Sequence, residues 1–302
     1  MIELAAAGWA ARLLPEQGGA FALLRWQGQE VLAPLPPGAD PNASFAGAFL
    51  LAPWANRLDA GRLPCAGTLH HLPVNRAADN TAIHGLSRAL PWQVANASAA
   101  RVVLEQQVHS PPFHYAARLA VTLGADGLHL ALGLRNLAAG PVPMGLGWHP
   151  FFARPPGTRL RFAASALLQS NARGLPLAAE PSHGVAGDEA VYEGLDTHFT
   201  GWDGTVDLLR PDLLLRLRAS GAWARNLQVF APPGSGVLCA EPVSHVPDAP
   251  NRPALAVLGA LAPLAPGAEL QAALHLHAAW AAPRPGATAA GSLPPQGPSP
   301  GG

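Results

Sequence analysis

The sequence predicts an all-β protein, built as a large antiparallel β-sandwich with little helix. Hydrophobic residues alternate with a period of two in many short stretches, and turn-forming residues separate these stretches. Few stretches keep a helical period for more than two turns. The chain of 302 residues also contains 33 prolines and 32 glycines, which would interrupt long helices often.

Three pairs of strands are visible in the sequence. In residues 118–134, leucine and valine alternate with other residues on both sides of an Asp-Gly pair, a pattern typical of a β-hairpin. Residues 205–219 show the same alternation about a Pro-Asp pair, and residues 227–242 contain two apolar runs joined by a Pro/Gly turn. Residues 22–26 (ALLRW) and the alanine-rich segments are candidates for short helices.

The last predicted strand covers residues 270–280 and carries His275 and His277 on one face. Two histidines spaced in this way can bind a metal. No third ligand stands near them in the sequence, so we expect instead the polar face of an edge strand. We assign residues 1–280 to a single domain. Residues 281–302 are rich in Pro, Gly, Ser and Ala, and we expect them to be disordered because they cannot bury a core.

Composition excludes several classes of function. Lys plus Arg and Asp plus Glu both total 19, so the chain has no net charge, and we expect no nucleic-acid partner and no membrane partner. The sequence contains no lysine, which rules out a Schiff-base lysine and a P-loop lysine. It also contains no GxGxxG, P-loop or HExxH motif and no three-ligand cluster of His, Cys, Asp or Glu at zinc spacing, so we predict that no metal is needed.

The cysteines and the N-terminal residues give an expectation for the cellular compartment of the protein. Cys65 and Cys239 are far apart in the sequence and form no CxxC motif, so we expect neither a disulfide framework nor a thiolate cluster. The first residues show no basic region followed by a long apolar run, and no stretch has about 18 uninterrupted apolar residues. We therefore expect a cytoplasmic protein, either a monomer or a homodimer.

Four segments contain polar and aromatic residues that a structural role alone does not explain. Each is ambiguous alone, because a histidine beside glycine fits a turn and a Glu-Pro pair fits a surface loop. Aromatic faces cover the apolar faces of a sugar, and Arg, Asn and His bind its hydroxyls, so the four together predict a site for a polyhydroxylated ligand. The segments are residues 53–63 with Asn56 and Arg57, residues 80–92 with His84, residues 144–152 with Trp148 and His149, and residues 240–253 with Glu241.

These segments, in this order, resemble those of the aldose 1-epimerases, the family of galactose mutarotase. The resemblance implies a galactose mutarotase-like supersandwich that interconverts the α and β anomers of a free hexose, with a small-molecule sugar as its partner and no cofactor. It extends from about Arg12 to Trp280. The matching features are Asn56-Arg57, Ile83-His84-Gly85 followed by Trp92, the His-Pro-aromatic stretch from Gly145 to Phe152, Asp196 in LDTHFTGWDG, and Glu241-Pro242 with the loop after it.

The resemblance also implies the catalytic roles. Opening the sugar ring needs one base to take the proton of the C1 hydroxyl and one acid to protonate the ring oxygen. The family places Glu241 as the base and His149 as the acid, with His84 near the ring oxygen or the C1 hydroxyl. A carboxylate works as a base only when ionised, so we expect Glu241 to be hydrogen-bonded rather than bare in apolar surroundings.

The remaining site residues are expected to bind the substrate. Arg57 would hold hydroxyls with Asn56 beside it, and Trp148 is the aromatic residue assigned to the sugar. Asp196 would accept hydrogen bonds from hydroxyls that distinguish one sugar from another. Asp203 lies in the same segment and is the alternative to Asp196.

Other functions stay open at the level of sequence. Arg76 and Arg88 flank the first histidine segment and would suit a hexose-6-phosphate 1-epimerase, although solvated charges are the simpler interpretation. A non-catalytic sugar-binding protein on the same fold would have Glu241 or His149 displaced from the site. Glu241 paired with Asp196 would suit a glycosidase. The sequence does not select the preferred aldose.

Overall fold

The computed structural model describes residues 1–281. The predicted disorder of residues 281–302 therefore falls, apart from Ala281, outside the described residues. Strand residues make up 54% of the structure and helical residues 7%, which confirms the prediction of an all-β protein with little helix.

Short strands account for most of the regular structure. In chain order they are β1 (Ile2–Ala6), β2 (Trp9–Leu14), β3 (Ala20–Trp26), β4 (Gln29–Glu30), β5 (Ala48–Leu51), β6 (Arg57–Asp59), β7 (Arg62–Cys65), β8 (Thr68–His71), β9 (Thr81–Ile83), β10 (Gln93–Ala97), β11 (Arg101–Ser110), β12 (Phe113–Gly124), β13 (Gly127–Asn136), β14 (Val142–Met144), β15 (Gly147–Pro150), β16 (Phe152–Ala153), β17 (Arg159–Phe162), β18 (Ala166–Ser170), β19 (Pro176–Pro181), β20 (Val185–Gly187), β21 (Asp196–Thr200), β22 (Thr205–Leu209), β23 (Leu213–Gly221), β24 (Asn226–Phe230), β25 (Val237–Val243), β26 (Ala262–Leu264) and β27 (Glu269–Trp280).

Helices are few and brief. The α-helices are α1 (Glu189–Tyr192) and α2 (Pro253–Ala256), and the 3-10 turns are Pro15–Gln17, Ala77–Asp79, Ser87–Ala89 and Ala249–Asn251. At four residues or fewer, none of the helices in the described chain has the length to span a bilayer.

Two large antiparallel sheets contain most of the strands. The larger sheet has twelve strands, ten of them in the order β1-β2-β3-β5-β15-β25-β24-β21-β18-β19, with β4 paired to β3 and β16 to β25. The smaller sheet has nine strands in the order β10-β11-β12-β13-β27-β23-β22-β17-β20. Neighbours such as β15 and β25 are distant in sequence, so the sheet order brings remote segments side by side.

The two sheets pack on a common core. Along β12 every second residue is buried, from Phe113 to Leu123, and the residues between them are more exposed. The core mixes side chains of both sheets, with Leu24 and Leu50 from the larger sheet and Leu119 from the smaller one. The predicted sandwich of antiparallel sheets is confirmed.

The local predictions have mixed outcomes. The three predicted strand pairs are confirmed, since β12 pairs with β13, β22 with β23 and β24 with β25, all antiparallel. The helix considered for residues 22–26 is wrong, because these residues belong to β3, which pairs with β2, β4 and β5. Within these five residues, pairing with β2 and β4 outweighs a weak helical preference.

The expectation for the two C-terminal histidines is also corrected. Their strand, β27, lies between β13 and β23, so it is a central strand and not an edge strand. A third candidate ligand does stand near them: His275 Nε2 lies 3.9 Å from a carboxylate oxygen of Asp126, in the turn between β12 and β13. The two residues are far apart in the sequence, and they come close only because the sheet places β27 beside β13.

Candidate active site

One face of the larger sheet carries a row of polar and aromatic side chains. In the register of the sheet, His149 on β15 lies opposite Phe49 on β5, and Glu241 on β25 lies opposite Gln228 on β24. Strands β15 and β25 are themselves neighbours, so the row continues from Phe49 to Gln228. Because successive residues of a strand point to opposite faces, the residues next to these in sequence point to the core.

The centre of the row is a contact between His149 and Glu241. His149 Nε2 lies 3.3 Å from a carboxylate oxygen of Glu241, and the side chains are 8% and 3% exposed. The His149 ring packs against Phe49 and Phe151, whose ring centroids each lie 4.6 Å from its own. The two residues expected to be acid and base therefore meet in an almost dry contact.

Burial controls the protonation of this pair. Loss of hydration raises the pKa of Glu241 well above its usual value; the negative charge of Asp196 adds to the rise and Arg57 opposes it. Loss of hydration, with the charge of Arg88, lowers the pKa of His149 to about 3. Both groups therefore favour their uncharged forms, a correction to the expected ionised and hydrogen-bonded Glu241. Among the described residues, His149 is the only basic side chain within 4.0 Å of the Glu241 carboxyl.

His84 enters the site from a loop with a strained backbone. Its φ is +66° and that of Asn56 is +55°, in the left-handed region that few residues besides glycine adopt. The two residues hold each other, because His84 N–H donates to the Asn56 carbonyl (3.0 Å) and Asn56 N–H donates to His84 Nδ1 (3.3 Å). Burial and the charge of Arg88 keep the pKa of His84 well below its usual value, so the ring is neutral. Since Nδ1 accepts, Nε2 carries the proton and is left as a donor.

Position 85, directly after His84, must be glycine for a steric reason. The φ of Gly85 is +70°, and a Cβ on this residue would lie 2.1 Å from the carbonyl oxygen of Ala52. The same carbonyl accepts the N–H groups of Leu86 (2.7 Å) and Ser87 (3.0 Å). A side chain at position 85 would force the two loops apart and displace His84 with them.

Four side chains form a closed ring of hydrogen bonds beside the pair. Asn56 Nδ2 donates to Gln228 Oε1 (3.2 Å), and Gln228 Nε2 donates to Asp196 Oδ1 (2.7 Å). Arg57 closes the ring, with Nη2 3.5 Å from Asp196 Oδ2 and Nη1 3.2 Å from Asn56 Oδ1. Arg57 Nε also donates to Asp79 (3.1 Å). The ring presents fixed donors and acceptors, as the recognition of several hydroxyls requires.

The pair and the ring line one small cavity of about 200 Å³. Aromatic rings supply its apolar surface, and Phe45, which is 56% exposed, stacks on Phe151 with ring centroids 5.9 Å apart. The cavity therefore offers both apolar faces and convergent polar groups to one ligand. Six of the predicted site residues line it, namely Asn56, Arg57, His84, His149, Asp196 and Glu241.

Trp148 is the predicted site residue that the structure places elsewhere. Its side chain is fully buried, and its ring packs edge-on against Phe21 (6.2 Å between centroids) and Phe152 (6.1 Å) in the core. Alternation along β15 is the reason, because His149 points to the cavity and its neighbour must point away. The prediction that Trp148 binds the sugar is wrong. Asp203 also lies outside the cavity, where it accepts the N–H of Thr205 in a turn.

Among the lining residues that were not assigned to the site from the sequence, Gln228 and Arg88 make the most informative contacts. Gln228 was missed, although a glutamine inside the apolar run LQVF is a signal of a buried polar contact. Arg88 was set aside as a solvated charge, yet its guanidinium lies over the Phe49 ring, 4.9 Å from the centroid. It makes no salt bridge with any carboxylate of residues 1–281, whereas Arg76, on the same cavity, pairs with Asp79 at 3.0 Å.

The site also contains a set of potential metal ligands. His149 Nε2, Cys239 Sγ and a carboxylate oxygen of Glu241 lie within 4.8 Å of one another. Burial raises the pKa of the Cys239 thiol well above its usual value, and the charges of Glu241 and Asp196 add to the rise. Metals bind thiolates, so this environment disfavours Cys239 as a ligand. That the reaction needs no metal stays a prediction.

Fold and cavity together define a class of protein. It is an antiparallel β-sandwich in which a buried carboxyl–imidazole pair and a ring of four hydrogen-bonded polar side chains line one small cavity. More particularly, the chain belongs to the aldose 1-epimerase family, whose family model matches residues 2–277. The resemblance drawn from the sequence motifs is confirmed.

Similar proteins come from several bacteria. The uncharacterized protein YphB of Escherichia coli (strain K12) is 29% identical over 261 residues, which are 79% of this chain and 86% of YphB. A crystal structure of an Escherichia coli K12 protein has a TM-score of 0.82 at 25% identity and covers 92% of this chain and 98% of that one. A galactose mutarotase-like protein from Clostridium acetobutylicum has a TM-score of 0.79 at 17% identity, over 92% of this chain and 94% of the other. The last similarity shows a shared fold alone.

Proposed function

We propose that this protein is an aldose 1-epimerase that interconverts the α and β anomers of a free hexose by acid–base catalysis. The observation that carries the proposal is the 3.3 Å contact between His149 and Glu241 in a cavity suited to one small polar ligand. Membership of the aldose 1-epimerase family supports it. Mutarotation removes one proton and delivers another at neighbouring oxygens, and two adjacent groups that share a proton supply both transfers.

The reaction cycle uses the two groups in turn. Glu241 takes the proton of the C1 hydroxyl, the C1–O5 bond breaks as C1 becomes a carbonyl, and the leaving electron pair goes to O5. O5 takes a proton from His149, which gives the open-chain aldehyde. Rotation about C1–C2 presents the other face of the carbonyl. The same transfers in reverse close the ring as the other anomer and return both protons to their starting positions.

The pair must hold one proton in total for this cycle. In the free protein, burial favours that proton on Glu241 and a neutral His149. Sugar hydroxyls that donate to the carboxylate stabilise its ionised form. We therefore expect substrate binding to shift the proton to His149, which is the state in which Glu241 is the base and His149 the acid.

The surrounding residues bind and orient the sugar. His84 Nε2–H is a donor for the ring oxygen or the C1 hydroxyl. Arg57 and Asn56 hold hydroxyls at the other side of the ring, and Asp196 accepts from the hydroxyls that differ between sugars. Gln228 donates to Asp196 and accepts from Asn56, so it fixes the spacing of these two groups.

A hexose-6-phosphate 1-epimerase is the second candidate, and Arg88 favours it. Its guanidinium lines the cavity without a salt bridge to a carboxylate in the described chain, and Arg76 lines the same cavity. Guanidinium groups bind phosphate through two parallel hydrogen bonds. With a free sugar, Arg88 would instead keep its contact with Phe49.

Saturation-transfer NMR between the α and β anomeric protons tests both candidates at equilibrium. We expect the protein to accelerate anomer exchange of glucose or galactose well above the rate in buffer. Faster exchange of glucose 6-phosphate than of glucose would select the second candidate. Sugar binding without acceleration of any of these aldoses would contradict both and indicate a non-catalytic sugar-binding protein. Cleavage of nitrophenyl glycosides would indicate a glycosidase.

A further inference from the structure

A second cluster of ligating side chains lies on the smaller sheet, away from the sugar cavity. It consists of Asp126, His129 and His275, and one ligand atom of each lies within 4.8 Å of one ligand atom of the other two. His129 Nε2 is 2.8 Å from a carboxylate oxygen of Asp126, and His275 Nε2 is 3.9 Å from the same oxygen. The proposed mutarotase reaction uses none of these residues.

The sheet register builds this cluster. His129 on β13 and His275 on β27 are direct cross-strand partners, and their rings stack with centroids 4.5 Å apart at an angle of 15°. The turn between β12 and β13 then carries Asp126 back over both rings. Gly127 makes room for this, because a Cβ there would lie 2.8 Å from His275 Nε2 and 2.3 Å from the Leu276 carbonyl oxygen.

We propose that Asp126, His129 and His275 form a binding site for a divalent transition-metal cation of the zinc type. Two imidazole nitrogens and one carboxylate are donors that such ions prefer. In a tetrahedral zinc site with bonds of about 2.0–2.1 Å, neighbouring ligand atoms lie about 3.4 Å apart. The two separations of 2.8 and 3.9 Å bracket this value, so small side-chain rotations suffice to form the site.

The fourth position has a candidate from the same strand. His277 Nδ1 lies 3.0 Å from the Asp126 carbonyl oxygen, and His275 Nε2 lies 2.9 Å from that oxygen. A carbonyl only accepts, so both imidazoles donate to it in the metal-free protein. Metal binding replaces the proton on His275 Nε2, and either His277 or a water completes the coordination.

Neighbouring positive charge opposes the ion. Arg218 and Arg216 on β23 are the cross-strand partners of His275 and His277 and therefore project from the same face of the sheet, although Arg216 is paired with Asp207. The ligands are also partly exposed, with His129 47% and Asp126 65% accessible to solvent. Both features weaken the site relative to a closed, all-cysteine zinc centre.

Binding would link the turn between β12 and β13 to strand β27. A ligand that binds the folded chain and not the unfolded chain stabilises the fold in proportion to its occupancy. The expected role is therefore stabilisation of the smaller sheet, not catalysis in the cavity on the other sheet.

The test uses the full chain without a histidine tag. We expect calorimetric titration with ZnCl₂ to show one saturable ion per chain and Zn²⁺ to raise the melting temperature. Co²⁺ should give the visible absorption of a tetrahedral site. His129→Ala, His275→Ala and Asp126→Asn should each weaken Zn²⁺ binding by about tenfold or more.

The control is the pair of His109 and His114, which are also cross-strand partners of this sheet, with ring centroids 4.8 Å apart and a tilt of 30° between the rings. The double variant His109→Ala/His114→Ala should bind Zn²⁺ like the wild type. Absence of saturable binding at about 100 µM Zn²⁺, or binding unchanged in both His129→Ala and His275→Ala, would overturn the proposal. Loss of binding only in His149→Ala would place the ion instead in the sugar cavity.

Discussion

The Nε2 atom of His149 lies 3.3 Å from a carboxylate oxygen of Glu241, and both side chains are buried. Neither group is easily charged alone in this position, because burial raises the pKa of the carboxyl and lowers that of the imidazole. In the proposed reaction the two side chains hold one proton between them and exchange it with the oxygens bound to C1 of the sugar. The predicted effects of changing the site follow from this shared proton.

Glu241→Gln should reduce kcat for anomer exchange by about 10² or more while sugar affinity stays largely intact. The amide keeps the size of the side chain but cannot take the proton of the C1 hydroxyl, so the loss falls on the transition state. NMR exchange rates at saturating sugar measure kcat, and equilibrium titration measures affinity. Asp203→Asn, the same chemical change at a turn outside the cavity, is the control. A near-normal kcat in Glu241→Gln would make Asp196 the leading candidate for the base.

As the pH falls, kcat/KM should not show the decrease near pH 6.5 that an ordinary histidine would cause. The pair titrates as a unit, and the active form holds one proton. Because the pKa of His149 is lowered to about 3, the second proton binds only in strong acid, so activity should show no acid-side loss near the usual imidazole pKa of about 6.5. Activity should fall on the alkaline side, above the raised pKa of Glu241. Rates are corrected for buffer catalysis without protein, and a loss centred near pH 6.5 would contradict this protonation scheme.

Much of the fold and most of the site follow from local sequence. The hairpin of β12 and β13 is visible because period-two alternation on both sides of a turn is a local property. His149 and Glu241 each stand directly before a proline in an apolar run, where a polar residue is conspicuous. Six predicted residues line one cavity because their segments, each ambiguous alone, together match the motifs of one family.

Local sequence does not predict which face of a sheet a side chain points to, or which strand pairs with which. Trp148 and His149 belong to the same motif, and only the orientation of β15 decides which one faces the cavity. Gln228 acquires its role from its register opposite Glu241. Asp126 and His275 are 149 residues apart, and their proximity exists only because β27 inserts beside β13.

Trp148→Phe should lower the free energy of unfolding by about 1–3 kcal/mol and leave the KM for sugar within about twofold. The smaller ring leaves a gap between Phe21 and Phe152, whereas the cavity loses no lining group. Urea unfolding and anomer-exchange kinetics measure the two effects. The neighbouring variant His149→Asn should do the reverse, with a large loss of kcat and little loss of stability. A KM raised severalfold in a stable Trp148→Phe protein would restore Trp148 to the sugar site.

Asp207→Asn should destabilise the smaller sheet by about 1–2 kcal/mol at neutral pH. Asp207 is buried on β22 and accepts from Arg216 on β23 (2.6 and 2.9 Å) and from Arg161 on β17 (3.2 and 2.6 Å). The Arg216 hydrogen bonds are the main reason that the pKa of this carboxyl is lowered, and Arg161 adds to them against the opposing effect of burial.

The lowered pKa of Asp207 fixes the pH dependence of that loss. A depressed folded-state pKa gives stability that is complete above the unfolded value of about 3.9 and disappears as the pH falls through the folded value. The difference in unfolding free energy between wild type and Asp207→Asn should therefore be constant from about pH 7 to pH 5 and shrink below about pH 4. Glu3→Gln is the matched control, because Glu3 binds Arg12 in the same way but is 65% exposed, so it should cost no more than about 0.5 kcal/mol. Urea unfolding measures both effects. Two results would contradict a stabilising role for the charge of Asp207: equal losses of unfolding free energy in the two variants, or a loss in Asp207→Asn that stays constant down to about pH 3.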